Sequence, residues 1–529
     1  MKLTAAKARR RFYADRAQAM LSVKFASEAW LIEVNMAPVT RRRFVQQTAL
    51  SAAALYGRPL KLFGGGRRIF GELEQNAAPV DAAAIRKLAS QITGHVITPE
   101  APDYESSRLV GNRAYDRHPA LIVRCASASD VTRALDFGQS QSLPLAVRGG
   151  GHSAAGFGVC DGGLVIDLSG MKRVEVDTDK RVAHAEAGSL VRDVDEATQH
   201  FGLATTLGSC PTVGIAGLTL GGGLGFLMSK YGTACDNVLS AHMVTVDGRQ
   251  LEASQNSNPD LFWAIRGGGG NFGVVTALDY QLHQVSEILI GALMYPAGRI
   301  PELLQAYVKS AGAAPDEMAT TAMILPSEQG PRIRMLVGYC GQATLGNDLL
   351  KPLQAPLKPQ EDTVKVMSYL EAQASAFPVS PKPSAYFVTN LFLPELNEAA
   401  VAAIANATQD APQRFRVMIA RYHGAMTRVR PSDMAFPLRE RGYEVEVSSY
   451  WSAPGEKTSA VQWVNALRDN LQPFSHGLNA NKLSDTSGEL VRTAYGPNYA
   501  RLVEIKKKYD PTNVLRLNPN IRPDRLSNN

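Results

Sequence analysis

The pattern of apolar and polar positions over residues 81–285 mixes short buried runs with amphipathic segments. The runs "ALIVRC", "LPLAV", "GLVIDLS" and "FGVVTALDYQL" predict strands, whereas "SASDVTRALDFGQSQ" and "LVRDVDEATQHFG" predict helices. Two hairpins are predicted, one from "VEVD" with "RVAHAEAG" and one around Asp247-Gly248, since Asp-Gly is a strong signal for a two-residue turn. Ser127 and Asp130 predict a capping box at a helix start, and Gly202 predicts a helix end.

The pattern changes over residues 286–484. Strands such as "ILIGALMYP", "RIRMLVGYCG", "AYFVTNLFLP", "FRVMIARYH" and "YEVEVSSYW" alternate with helices such as "PELLQAYVKSA", "NEAAVAAIANAT" and "TSAVQWVNALRDNL". This alternation predicts a broad antiparallel sheet with helices on one face. The tail "YARLVEIKKKYDPTNVLRLNPNI" predicts a helix, a turn and an extended end.

Length and composition limit the class of protein. A chain of 529 residues is too long for one core, so two large domains are expected. Hydrophobic residues make up 45% and charged residues 20%, as in ordinary soluble proteins. No apolar run approaches the roughly 20 residues of a membrane helix, so no membrane span is predicted.

The formal net charge of +7 is confined to the start of the chain. Residues 1–43 contain ten Lys and Arg against three acidic residues, so the rest of the chain is formally neutral. A neutral body lacks the basic excess with which proteins bind a phosphate backbone. We therefore predict no nucleic-acid partner.

The basic segment "TRRRFVQQ" precedes a mildly apolar run, "TALSAAALYG". It resembles a twin-arginine export signal with Arg41 and Arg42 as the pair, and Met36 just upstream is a plausible start of translation. The prediction is an N-terminal extension over residues 1–57, a linker over 58–80, export by the twin-arginine machinery and a periplasmic or secreted location. The alternative is a disordered basic tail.

Cysteine and histidine spacing predicts no metal site. The five cysteines form no CxxC pair, and the nine histidines form no HExxH motif. An odd number of cysteines in an exported protein leaves at least one with a role other than pairing.

Three glycine-rich segments stand out: "RGGGHSAAG", "CPTVGIAGLTLGGGLG" and "RGGGGNFGVV". Glycines let successive backbone N–H groups approach a ligand and form anion-binding concavities. Together the segments predict a long ligand with a pyrophosphate and a planar ring. A Rossmann fingerprint is not supported, because no clear strand precedes "GGGLGFLMSKYG".

These segments, with "GTACDNVLSAHMVTVDG", "PDLFWAIRGGGGNFGVVT" and the tail, resemble the berberine bridge enzyme-like flavoproteins of the vanillyl-alcohol oxidase superfamily. The resemblance is strong over about 100–285 and 485–525 and weak between them. It implies an α+β, two-domain PCMH-type FAD-binding fold. The FAD domain would span 81–285, the substrate domain 286–484, and a C-terminal segment, 485–529, would return to the FAD domain.

The resemblance also implies how the cofactor is held. His152 would be joined covalently to the flavin 8-methyl carbon, and Cys210 would add a thioether link, which gives one cysteine its separate role. The expected FAD-binding residues are Arg148, Gly149, Gly150, Gly151, His152, Ser153 and Gly156 from the first segment, Cys210, Thr212, Val213, Gly214, Gly217, Gly222 and Gly225 from the second, and Asn237, Gly273, Val275, Asn518 and Asn520. Valine at 213 resembles the oxygen-reactive members.

The chain departs from the family at one point. Members usually carry a Tyr-x-Asn aromatic motif before the tail, and this chain has Asn479 at the tyrosine position and Lys482 at the second aromatic position. An amide cannot act as a base at neutral pH. Glu446 maps to a substrate-facing position and becomes the candidate base, with a pKa raised by burial. The alternatives are that Glu446 lies on a solvated face, and that Tyr386, Tyr443 or the substrate supplies the base.

The resulting hypothesis is an FAD-dependent oxidase. It would take a hydride from a C–H bond of an alcohol or sugar-like substrate and reduce dioxygen to hydrogen peroxide. The alternatives are a flavin dehydrogenase that uses a quinone or protein acceptor, and a flavin-binding protein without turnover.

Replacing both Arg41 and Arg42 by lysine should trap the protein in the cytoplasm, because the twin-arginine receptor reads the pair itself and not its charge. Fractionation of expressing cells, with Arg43→Lys as the control, measures this. Unchanged export of the double variant would favour the disordered-tail alternative.

Overall fold

The computed structural model describes residues 80–354, 358–376 and 384–523. The predicted extension over 1–57, its twin-arginine motif and all but the last residue of the 58–80 linker lie outside the described residues, as do the last residues of the 485–529 segment. The account below concerns residues 76–529, which form one compact unit.

The first part of the fold is a four-stranded sheet in the order β1-β2-β4-β3. Its strands β2 and β3 both run parallel to β4. The elements are α1 (Ala82–Gln91), β1 (His95–Ile97), α2 (Tyr104–Arg108), β2 (Leu121–Arg124), α3 (Ala128–Ser140), β3 (Leu145–Arg148) and β4 (Leu164–Asp167). The strands predicted from "ALIVRC", "LPLAV" and "GLVIDLS" are confirmed.

The start of α3 confirms one half of the predicted capping box. The Ser127 hydroxyl accepts the Asp130 N–H at 3.2 Å. The reciprocal half is wrong, because the Asp130 carboxylate accepts the N–H groups of Thr93, Gly94 and Ala126. The Asp130 carboxylate therefore links Thr93 and Gly94 to the start of α3, and it does not cap its own helix.

The second part is a five-stranded antiparallel sheet in the order β5-β6-β10-β8-β9. Both predicted hairpins are confirmed as β5–β6 and β8–β9. The elements are β5 (Val174–Asp177), β6 (Val182–Glu186), α4 (Val191–Gln199), β7 (Leu203–Ala204), α5 (Ile215–Leu220), α6 (Met228–Tyr231), β8 (Val238–Val244), β9 (Gln250–Ser254), α7 (Pro259–Ile265), β10 (Val274–Gln281) and β11 (His283–Gln284).

The third part is an eight-stranded antiparallel sheet in which β13, a strand that the pattern did not single out, lies between β14 and β18. Its long strands are β12 (Glu287–Met294), β13 (Met318–Leu325), β14 (Arg332–Tyr339), β17 (Ala385–Leu393), β18 (Phe415–Tyr422) and β19 (Gly442–Trp451). The short strands are β15 (Glu361–Asp362) and β16 (Lys365–Ser368), and the helices are α8 (Ile300–Gly312), α9 (Ala343–Gln354), α10 (Tyr369–Ala376), α11 (Glu398–Gln409) and α12 (Lys457–Leu471).

One face of this large sheet forms a core with α8, α9, α11 and α12, as predicted, whereas α10 packs on the other face through Tyr369 and Ala372. Val445 and Val447 of β19 pack in it with Tyr307 of α8 and Val464 of α12. Each such apolar side chain contributes about 1.5–3 kcal/mol when it is fully buried. Because side chains alternate along a strand, Glu444 and Glu446 lie on the opposite face.

The tail returns to the first half of the molecule through α13 (Gly488–Tyr495) and α14 (Tyr499–Tyr509). The Lys506 ammonium of α14 is fully buried and donates to the Asn271 carbonyl at 2.8 Å, to the Leu515 carbonyl at 3.0 Å and to Asp510 at 2.6 Å. This contact fixes residues 510–521 beside the third glycine segment. The boundaries at 286 and 485 remain predictions, because the two parts belong to one compact unit.

No helix among the described residues is long and apolar enough to cross a membrane. None of the five cysteines is joined to another by a disulfide bond.

Lys506→Met should destabilise the protein by about 3–5 kcal/mol, because it leaves the buried Asp510 carboxylate without its counter-charge. The neighbouring Lys507→Met is the control, since Lys507 makes an exposed pair with Glu504 and should matter by less than about 1 kcal/mol. Urea unfolding curves measure both changes. Equal curves for Lys506→Met and the parent would remove Lys506 as the anchor of the tail.

Candidate functional site

The first two glycine segments touch through their backbones. A Cβ built on Gly150 would lie 2.3 Å from the backbone nitrogen of Gly214, and one built on Gly214 would lie 2.2 Å from that of Gly150. Real Cβ atoms do not approach backbone this closely, so only glycine permits the contact at either position. The contact places the ends of β3 and the loop before α5 side by side.

This approach brings His152 and Cys210 to the same hydroxyl group. The Thr212 Oγ1 atom lies 3.1 Å from His152 Nε2 and 3.5 Å from Cys210 Sγ. The His152 residue is exposed, and desolvation by the surrounding loops lowers the pKa of its imidazole. A neutral imidazole and a thiol are therefore presented together at one point.

Helix α5, which begins after Gly214, also borders open space. A Cβ built on Gly217 would meet no described atom within 4 Å, so the backbone there borders open space. The Gly217 carbonyl accepts the Asn481 side-chain amide at 2.8 Å. Asn481 belongs to the single-turn helix Ala480–Lys482, which therefore contacts the glycine segment.

The third glycine segment and the tail offer polar atoms without partners. Within the described part of the chain, the side-chain oxygens of Asn518 and Asn520 are buried and accept no hydrogen bond. Asn518 donates to the Gly270 carbonyl at 3.2 Å, and a Cβ on Gly270 would meet nothing described within 4 Å. Unmatched acceptors beside open backbone suit a ligand with hydroxyl and amine donors, so the residues present fit FAD.

Other predicted binding residues have their side chains committed elsewhere. The Arg148 guanidinium is buried against Asp167 at 2.8 Å, and the Asn237 amide donates to the carbonyls of Tyr231 and Thr233. Close packing explains Gly222, Gly225 and Gly273, where a Cβ would strike Phe436, Leu207 and Met243 respectively. At these five positions the side chain, or the lack of one, serves contacts within the protein. Only the backbone groups there could bind a ligand.

The remaining predicted residues line the turns of the first segment or border the second. Ser153 Oγ accepts the Phe157 N–H at 3.3 Å, and a Cβ on Gly156 would overlap the Tyr115 ring. The carbonyl of Val213 accepts the Val191 N–H at 2.9 Å. Gly149, Gly151 and Val275 also lie in or beside the segments that the sequence singled out.

The second half of the site is the face of the large sheet opposite to the core that contains Val445 and Val447. Cross-strand register aligns Arg334, Met323, Met418, Glu446 and Asn390 in one row across five strands. Glu446 is 6% exposed and Glu444 is 1% exposed. The alternative that Glu446 lies on a solvated face is therefore wrong.

Two cations flank the buried acids. Glu446 lies 2.8 Å from Arg416 and 3.2 Å from Lys482, and Lys482 also lies 2.7 Å from Glu444. Burial alone would raise the pKa of Glu446, but Lys482 and Arg416 outweigh burial and hold that pKa below its ordinary value. The expectation of a raised pKa is wrong for this reason, and Glu446 is ionised at neutral pH.

Asn479 has a structural role in the same turn. Its side-chain oxygen accepts the Asn481 N–H at 3.0 Å, and its own N–H donates to Asn390 Oδ1 at 2.6 Å. These bonds hold Lys482 over the two glutamates. Asn479 therefore orients a cation in this chain.

Neither alternative tyrosine suits a base at neutral pH. Burial raises the pKa of Tyr386 and of Tyr443. Tyr443 also packs in the helix-covered core, opposite to the two glutamates. Of the candidates named from the sequence, Glu446 alone has a lowered pKa and lies on the face opposite to that core.

Sequence reasoning missed Arg416, Asn390 and the pairing role of Glu444. Arg416 alternates with apolar residues in "FRVMIARYH", and an arginine in a strand reads equally well as a solvated residue. The usable signal was the pair of glutamates in "YEVEV", whose spacing places both on one face.

Comparison with known proteins agrees with this arrangement. The protein-family model described as "FAD binding domain" matches residues 119–254 of this chain. The family model described as "Berberine and berberine like" matches residues 464–522. An uncharacterized FAD-linked oxidoreductase of Bacillus subtilis (strain 168) is 33% identical over 83% of this chain and 99% of its own. The (R)-6-hydroxynicotine oxidase of Paenarthrobacter nicotinovorans is 31% identical over 83% of this chain and 99% of its own.

Solved structures give the same result for the fold. The crystal structure of 6-hydroxy-D-nicotine oxidase from Arthrobacter nicotinovorans matches with a TM-score of 0.75 and 29% identity, covering 82% of this chain and 98% of that one. Berberine bridge enzyme matches in fold with a TM-score of 0.77 at 22% identity, covering 85% and 100% of the two chains. The predicted α+β, PCMH-type fold is thereby confirmed, and the chain belongs to the berberine bridge enzyme-like family of FAD-linked oxidoreductases.

Proposed function

We propose that this protein is an FAD-dependent oxidase of a hydroxyl-bearing substrate, an alcohol or a sugar-like molecule, with dioxygen as electron acceptor. The observation that carries the proposal is the ionised Glu446, held between Arg416 and Lys482 on the sheet face that the Asn481 turn joins to the glycine segments. When bound, FAD supplies a hydride acceptor and a route for the electrons to dioxygen.

His152 and Cys210 would hold the flavin covalently. Their common contact with Thr212 supports this, because it places two nucleophilic side chains together. Two links would also hold the flavin ring in place. They would raise its reduction potential, because groups of the protein alter the electronic properties of a bound cofactor. Backbone N–H groups around Gly149 and Gly151 would receive the pyrophosphate.

Glu446 would accept the proton of the substrate hydroxyl. Loss of that proton makes it easier for the neighbouring C–H bond to give up a hydride, so both events belong to one oxidation. A positioned base contributes about 10²–10⁴-fold to such a step. Lys482 and Arg416 would keep Glu446 in its ionised form and would donate hydrogen bonds to other substrate oxygens.

The charges around the site favour a neutral substrate. Lys482 and Arg416 balance Glu444 and Glu446 on this face, so an ammonium group would find no uncompensated negative charge there. The related hydroxynicotine oxidase is named for a substrate of a different class, and amines are therefore the second candidate.

Val213 supports dioxygen as the acceptor. The residue is small and lies between Thr212 and the Gly150–Gly214 contact, where a bulkier side chain would narrow access to the ring. A quinone or a protein as acceptor is the alternative within the same chemistry. Export in folded form by the twin-arginine machinery, to a periplasmic or secreted location, is part of the proposal and rests on the sequence motif.

Cys210→Ala should retain a covalent flavin through His152 alone. Acid-precipitated protein should stay yellow, and a proteolytic digest should give a flavin joined only to the His152 peptide, whereas the parent digest should join the His152 and Cys210 peptides. Cys340→Ala is the matched control, because Cys340 is also partly exposed but bonds to the Glu317 carbonyl. Flavin released from the parent by acid would refute covalent attachment.

Anaerobic mixing with a panel of alcohols, sugars and amines should bleach the flavin for a hydroxyl-bearing substrate, and air should restore the colour with formation of peroxide. Bleaching by amines alone would show that the substrate is an amine and not an alcohol or a sugar. Colour restored only by a quinone would show that the acceptor is a quinone and not dioxygen. Absence of bleaching across the panel would leave a flavin-binding protein without turnover.

Glu446→Gln should slow the anaerobic bleaching by about 10²–10⁴-fold while leaving reoxidation by air unchanged. Because the Glu446 pKa is lowered, the parent rate should stay constant down to the ordinary glutamate range and fall only at more acidic pH, as Glu446 is protonated. The variant should lack this acid limb. Glu440→Gln is the control, since Glu440 is exposed. A variant as fast as the parent would exclude Glu446 as the base.

A further inference from the structure

Two histidines and an aspartate meet on the outer face of the five-stranded sheet, outside the flavin site. His184 Nδ1 lies 2.6 Å from Asp279 Oδ1, and His242 Nε2 lies 3.6 Å from Asp279 Oδ2. One ligand atom from each of the three side chains lies within 4.8 Å of the others. The cluster has no part in the oxidation proposed above.

Strand register creates this arrangement. His184 of β6 lies directly opposite Asp279 of β10, and His242 of β8 lies diagonally next to Asp279, beyond its direct partner Ser240. The alternate residues Ala185, Ala241 and Leu278 are buried in the core, so the three polar side chains project from the opposite face. The backbone of a continuous sheet therefore holds all three in a fixed relation.

The cluster opens into a cavity of about 560 Å³ between this face and the start of α3. Glu186 and Glu252 also line the cavity, and Glu252 lies opposite His242 in the strand register. Arg173 contacts Glu186 at 4.0 Å. Glu186 and Glu252 outnumber that cation in the lining, and Asp279 adds a negative charge beside the lining residues His184 and His242, so the region has an excess of negative charge that favours a cation.

We propose that His184, His242 and Asp279 bind a divalent transition-metal ion such as Zn²⁺. Imidazole nitrogens and one carboxylate are typical ligands for such ions, whereas Ca²⁺ and Mg²⁺ prefer shells of oxygen atoms. The side chains are 32%, 45% and 20% exposed, respectively, so small rotations can separate the ligand atoms until each lies about 2.0–2.2 Å from a zinc ion between them. Three protein ligands would leave a fourth position for water or for a ligand oxygen.

No sequence motif predicted this site, because its ligands come from three strands. His184 and Asp279 are 95 residues apart, so no local spacing motif joins them. The absence of CxxC and HExxH motifs, which led to the prediction of no metal, concerns only sites built from neighbouring residues.

Calorimetric titration of the chelator-treated, flavin-loaded protein with Zn²⁺ tests the proposal. The parent should bind one ion per chain at this site, and His242→Gln, His184→Gln and Asp279→Asn should each weaken that binding by roughly tenfold or more, as loss of groups that hold or orient a metal does. His200→Gln, at an exposed histidine, should bind as the parent does. Mg²⁺ should give no binding at this site.

The flavin absorbance spectrum and the unfolding temperature without metal show whether each variant is folded. A folded His242→Gln or Asp279→Asn variant that binds Zn²⁺ as tightly as the parent overturns the proposal. So does a parent that binds no Zn²⁺, or one whose binding is lost in His200→Gln.

Discussion

The contact between Gly150 and Gly214 is the constraint on which the site depends. It joins a loop at the end of β3 to a loop before α5, from two different sheets, at a distance that any side chain would prevent. Thr212, two residues before Gly214, and His152, two residues after Gly150, thereby come within hydrogen-bonding distance. The chemistry of His152 and Cys210 is thus a consequence of backbone packing, and the glycines are required there by space as well as by the ligand.

The buried charges on the large sheet follow a second constraint. Two carboxylates on one face cannot remain ionised without compensation, since burial of an isolated charge is costly. Arg416 and Lys482 supply that compensation, and Asn479 holds Lys482 in place through the turn that it caps. Asn479 and Lys482 therefore act together, since the first holds the turn from which the second reaches the acids.

Much of this could be predicted from the sequence where local rules decide the outcome. Alternation in "YEVEVSSYW" predicted which side chains of β19 share a face, and Asp247-Gly248 predicted its hairpin. Relations between distant segments could not be predicted in this way. The Asp130 carboxylate bonds to Thr93 and Gly94 although its spacing from Ser127 favours a cap, and the pKa of Glu446 falls because Arg416 and Lys482 come from other elements.

The position of the tail has a consequence for the order of biosynthesis. Ribosomes release a chain from its N-terminus, so the glycine loops and the large sheet emerge before α14. Lys506, Asn518 and Asn520, which complete the region around Gly270 and Asn271, become available only after both of those parts have been made. A chain that stops before α14 would therefore contain His152 and Cys210 but would lack the polar groups that complete this region.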